Sequence, residues 1–164
     1  MELAFLIYRM DDDLIMLQKI GRVAFLVAAG IALFGALVHW AALFVSPDWA
    51  AFLRAPGWVV DSFRNGTWVG PVGGIAIGAL MLLCALYSFA SIRWIGWIPL
   101  TRIALPVIAT ICILRGLLVI PLLLHAPTGF NIVGSLIWLI AGICFLVGAW
   151  SHWRLLKRNT SPSI

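Results

Sequence analysis

Apolar residues in this chain run in four long blocks, 23–46, 70–92, 102–124 and 131–153, and charged residues stand almost wholly between them. Each block exceeds the roughly 20 residues that a helix needs to cross the hydrocarbon core of a bilayer. Strict alternation, the mark of a half-buried strand, is absent. The pattern predicts an all-α integral membrane protein: four transmembrane helices in a bundle, built as one domain over residues 1–164.

The longest connection, 47–69, has its own period. Trp49, Phe52, Leu53, Val59, Val60 and Phe63 fall on one helical face, and Arg54, Gly57, Asp61 and Arg64 on the other. This predicts a short two-helix amphipathic lid between the first and second spans, lying on the membrane surface. Asp48, after Pro47, is placed to cap the first short helix, Pro56 to open the second, and Asp61 to pair with Arg64. Residues 1–22 carry an apolar patch too short to span, Leu3 to Tyr8, then Asp11, Asp12, Asp13, Lys19 and Arg22. That segment reads as an interfacial helix or a frayed tail. No signal-peptide cleavage pattern stands out, and Met10 and Met16 offer later starts.

Composition agrees with the pattern. With 63% hydrophobic and 10% charged residues, and a mean hydropathy of +1.09, the chain lacks the polar surface of a water-soluble domain. The net charge of +5 does not point to nucleic acid, because the basic residues cluster at block ends and read as topology signals. Arg9, Lys19, Arg22, Arg93, Arg102, Arg154, Lys157 and Arg158 fall on one side of the four-span topology, against Arg54 and Arg64 on the other. The expected location is a bacterial inner membrane with both termini in the cytoplasm.

Three features go beyond topology. Gly70, Gly74 and Gly78 recur every four residues, overlapping Gly-x-x-x-Gly motifs that let a helix pack closely, within the chain or against another protomer. A stripe of Ala28, Ala32, Gly35, Ala36 and His39 does the same for the first span. The fourth span carries two small-residue faces, Gly134, Ala141 and Gly148 on one and Asn131, Ser135 and Gly142 on another.

Between the ends of the four blocks Arg115 is the one formal charge, Arg102 standing at the first position of its block. Burying an arginine at mid-bilayer costs about 3 kcal/mol on insertion scales and more than about 10 in simulations, so it needs a partner, a cavity or water. Pro106 and Pro121 bracket it. Pro121 frees the carbonyl of Leu117, so one reading makes Arg115 a strut in a kinked helix, bonded to that carbonyl. The other places Arg115 in an outer-half cavity with His39, Trp138, Asn131 and Ser135, where it would hold a lipid headgroup, a quinone or a carboxylate.

Cys84, Cys112 and Cys144 lie in separate blocks with no paired spacing, and read as small packing residues. No metal or cofactor motif is present, and His39 and His125, at different depths, do not make a haem site. Asn65-Gly66-Thr67 matches the glycosylation pattern, a three-residue match common enough by chance to carry nothing. The expected function is that of a non-catalytic accessory, assembly or protective subunit, in contact with lipid and with a membrane partner or another copy. Binding or transport of a small anionic or lipid-like ligand around Arg115 and His39 is the alternative, and a membrane enzyme acting on lipid or quinone is third.

Overall fold

The computed structural model describes the backbone of residues 2–42, 44, 47–52, 55–125 and 128–158, and the side chains of these from 14 onward except 47, 52, 122, 125 and 154–158. Among the described residues the chain is all-α, with seven helices: α1 (Glu2–Ala41), α2 (Pro47–Phe52), α3 (Gly57–Arg64), α4 (Val69–Ser91), α5 (Thr101–Leu117), α6 (Val119–His125) and α7 (Gly129–Arg158). Four segments are long and apolar enough to cross a membrane: Leu14–Ala41, Val69–Ser91, Thr101–Pro121 and Gly129–Trp153. Their outward faces carry large apolar side chains such as Phe34, Leu80, Ile103 and Trp150, the surface a lipid environment requires. The chain divides into two compact units, residues 30–85 and residues 1–29 with 86–164.

One expectation about the first helix is corrected. Residues 2–22 are neither a separate interfacial helix nor a frayed tail in their backbone: they are continuous with the first span in one helix of 40 residues. No Gly or Pro occurs between Glu2 and Ile20, and charged side chains do not interrupt the main-chain ladder as those residues do. The helix that carries the first span stops at Ala41, short of 46. The third span is interrupted at one residue: α5 ends at Leu117 and α6 restarts at Val119, with Leu118 between them still in the helical region at φ −61° and ψ −11°, consistent with Pro121 lacking the N–H that would have bonded Leu117.

In the unit of residues 30–85, the second half of α1 runs against α4 with small residues at the contact. Gly35 faces the sulfur of Met81, and Gly78 takes the indole of Trp40 against its bare backbone; the Trp40 Nε1–H also reaches the carbonyl of Ile75 at 3.4 Å. Gly70 receives the ring of Phe63. Pro71 stands in the first turn of α4, where its missing N–H costs nothing. The N–H of Gly70, one of the unpaired donors of that turn, is accepted by Ser62 Oγ at 2.7 Å. Ser62 Oγ also lies 2.6 Å from Thr67 Oγ1, and the Thr67 N–H returns to the Ser62 carbonyl at 2.9 Å. Buried Ser62 thus ties α3 to the start of α4.

The lid acids do not take the roles expected of them. Pro47 itself opens α2, so Asp48 falls inside the first turn rather than at the cap, where a negative charge still suits the helix dipole. Asp48 pairs with Arg64 at 3.3 Å, and this replaces the expected Asp61–Arg64 pair. Both partners are exposed, so the pair contributes at most about 1 kcal/mol. Leu53 and Arg54, assigned to opposite faces of the lid, lie outside the described residues.

In the other unit, α7 is the central helix. Its Gly148 receives the ring of Phe25, and Gly21 of α1 abuts Ser151 and His152. On another face Gly142 meets Ile113 and the Ala109 carbonyl, and Leu139 meets Gly116. At the end of this second seam the Arg102 guanidinium lies 4.5 Å over the Trp153 ring. The two small-residue faces of the fourth span therefore serve two neighbours, Gly148 toward α1 and Gly142 toward α5.

α4 closes with a left-handed turn. Trp94 donates to the Phe89 carbonyl at 3.0 Å and Arg93 to the Ala90 carbonyl at 3.2 Å, a pair of bonds that requires a left-handed residue at Arg93, whose φ is 61°. The Trp94 ring stacks on Phe89 with centroids 5.6 Å apart, the apolar contact that accompanies this cap. Glycine is the usual occupant, since a left-handed conformation costs a side-chain-bearing residue about 1–2 kcal/mol.

Candidate functional site

Arg115 sits in the last turn of α5, and the register with α7 sets its depth. The neighbouring Gly116 has no room for a side chain, because a Cβ there would lie 2.6 Å from the backbone nitrogen of Leu139. Leu139 is roughly 15 Å from the Gly129 end of its span and roughly 21 Å from the Trp153 end, at about 1.5 Å per residue. Arg115 is therefore close to the middle of the span.

The buried face of α5 is made by Thr101, Leu105, Ala109, Cys112 and Gly116. Arg115 is off that face and exposed, among the exposed side chains of Ile111, Leu114 and Leu118. No hydrogen bond or ion pair reaches its guanidinium among the described residues. The expected bond to the Leu117 carbonyl is not formed, and the strut reading is corrected accordingly. Pro121 withholds the helical donor, and water, lipid or another chain can satisfy that carbonyl instead. A helical side chain leans toward the N-terminus of its helix, here toward Thr101, about 21 Å away. Reaching the nearer surface would run against that lean.

The other residues expected around Arg115 separate into two groups. Ser135 is buried and Asn131 and Trp138 are half-buried on α7. Asn131 is in the first turn of that helix, its N–H 3.4 Å from Thr128 Oγ1. His39 belongs to the other unit, where its Nδ1 lies 2.8 Å from the Gly35 carbonyl of its own helix. Of the three glycines assigned to packing, Gly70 and Gly78 each hold an aromatic ring and Gly74 is half-buried. Cys112 is buried in α5, Cys84 and Cys144 are half-buried, and none of the three is in a disulfide. No cluster of three or more His, Cys, Asp or Glu side chains suited to a metal occurs among the described residues.

Two polar positions escaped the sequence reading. Ser62 is the clasp described above, and its only signal was a serine five residues before a threonine. His152 is 6% exposed, its ring edge-on to Phe25 at 5.5 Å and 3.4 Å from Ser151 Oγ. It falls inside the fourth apolar block, just before the basic residues Arg154, Lys157 and Arg158, and only the absence of a side chain at Gly21 marks a place for it against α1. Comparison with known protein families, characterised proteins and solved structures finds no match to this chain.

Proposed function

We propose that this protein is a non-catalytic accessory or assembly subunit of a membrane complex, and that it joins its partner through the α5 face that carries Arg115. The observation behind this reading is the exposed guanidinium at mid-span with no acceptor among the described residues. A second copy cannot supply the counter-charge at that depth, since no Asp or Glu lies in the spans from Val69 onward or in the first span after Asp13. A helix of a different protein with a carboxylate within its span fits both the charge and the planar donor fork. We place the protein in a bacterial inner membrane with both termini cytoplasmic, on eight basic residues against two.

The test is photo-crosslinking in native membranes from Ile111, one turn from Arg115, with the exposed Leu80 as control, followed by native mass spectrometry in mild detergent. The reading expects one protein adduct from position 111, mapping to a spanning segment with Asp or Glu, absent in Arg115→Met and absent from position 80. A monomeric chain with only lipid adducts at both positions overturns it. A small anion or lipid retained by the unmodified chain and lost in Arg115→Met would favour binding or transport instead.

A further inference from the structure

The turn between α4 and α5 holds an arginine where its backbone calls for glycine. The cap at Arg93 is complete in its main-chain bonds and in the Phe89–Trp94 stack, and none of these uses the guanidinium. Glycine would make the same cap without strain. What arginine adds is an exposed cationic fork with no partner among the described residues. It borders a depression of about 450 Å³ lined by Ala90, Arg93, Ile95 and Trp97.

The surroundings are those of a membrane interface. Trp94, Trp97 and Leu100 are more than half exposed, and Leu100 is the second side-chain-bearing residue of the turn with a positive φ, 63°. Two strained positions in one short turn thus present a cation and an apolar side chain. The turn is held in shape by the Tyr87 hydroxyl donating to the Pro99 carbonyl at 3.4 Å and by Thr101 Oγ1 donating to the Ile98 carbonyl at 2.6 Å. Arg102, in the first turn of α5, is held by the Trp153 ring, which leaves Arg93 as the free guanidinium of the α4–α5 turn.

We propose that this depression is a binding site for an anionic phospholipid. Arg93 grips the phosphodiester through its planar donors, and the indole of Trp97 and the side chain of Ile95 cover the glycerol and the start of an acyl chain. A guanidinium pairs with two phosphate oxygens at once, which a lysine cannot do. The apolar lining favours a lipid over free phosphate, because a small hydrated anion would gain nothing from Trp97 and Ile95. The site is separate from the Arg115 face and does not depend on its role.

The full chain is purified in mild detergent, delipidated, and titrated with phosphatidylglycerol or phosphatidylcholine under native mass spectrometry. The unmodified chain is expected to retain one phosphatidylglycerol at least tenfold more tightly than phosphatidylcholine. Arg93→Gly should lose that preference while melting at a higher temperature than the unmodified chain in lipid-free detergent, which separates loss of a ligand from loss of the fold. Arg93→Gln, which keeps the backbone strain and removes the charge, should lose the preference without the gain in melting temperature. Arg64→Gln, a surface arginine of the lid, should keep it. Equal phosphatidylglycerol retention by Arg93→Gly and the unmodified chain overturns the proposal, as does competition by millimolar inorganic phosphate, which would make the site one for a free anion.

Discussion

Phe25 lies against the bare backbone of Gly148, so closely that a Cβ at that glycine would stand 2.7 Å from the ring. The α1–α7 seam is set at this point, since Phe25 is fully buried and Ala24, Ala28 and Ala29 beside it are too small to hold the helices apart. Gly148→Val should therefore destabilise the protein by about 1–3 kcal/mol, the usual cost of overpacking. Gly134 is on the same helix with nothing within 4 Å of its Cβ position. Gly134→Ala should be neutral or stabilise by up to about 1 kcal/mol through helix propensity. Melting curves of the two variants in one detergent compare them directly; equal losses would mean that the glycines act through backbone freedom and not through the seam.

Ser62 offers a test in the lid. Its hydroxyl accepts the Gly70 N–H and bonds the Thr67 hydroxyl, so Ser62→Ala leaves a buried donor at the start of α4 unpaired. The expected cost is about 1–3 kcal/mol. Hydrogen exchange should show the amide of Gly70 losing protection while amides in the middle of α4 keep theirs. Unchanged exchange at Gly70 would show that the clasp follows the helix start rather than securing it.

The starts of α4 and α7, at Val69 and Gly129, fall within two residues of the apolar blocks' own starts, because Pro71 and the Asn131 region mark where each helix begins. The start of α1 could not be read in this way. The acidic run Asp11–Asp13 resembles a boundary, but a helix ends where its main-chain bonds fail, and neither Asp nor Lys causes that. The one-residue interruption between α5 and α6 was visible as Pro121. Arg93 was hidden for the opposite reason. Glycine is what marks a left-handed cap in a sequence, and this cap has none. Arg115 could be found by its charge alone; that it faces outward and not into the protein depends on which side of α5 receives α7, and that register is set by Gly116 and Gly142.

The proposed orientation yields a labelling experiment. With the native cysteines replaced, Asn65→Cys in the exposed turn after α3 and Gly96→Cys in the α4–α5 turn should lie on opposite faces of the membrane. An impermeant maleimide applied to intact spheroplasts should modify position 65, and position 96 only after lysis. The reverse pattern would invert the topology and put Arg93 in the outer leaflet.

Arg115 can be judged by two substitutions measured with and without its surroundings. The isolated chain gives the guanidinium no acceptor among the described residues, so Arg115→Met removes a charge without breaking an internal bond. In detergent the variant should melt at the same temperature as the unmodified chain or higher. In the membrane, where holding an arginine at mid-span costs about 3 kcal/mol on insertion scales, the variant should insert at least as well. If a partner carboxylate meets Arg115, the same variant should lose the complex. Arg115→Lys should recover it only in part, weaker by about 1–3 kcal/mol because the ammonium is a point charge without the bidentate fork. Stability unchanged and complex lost is thus the signature of a docking arginine, whereas a strut would lose stability first and the complex only as a consequence. A Met variant that keeps both its stability and its complex would remove Arg115 from the interface, leaving water or headgroups drawn into the bilayer as what its charge meets.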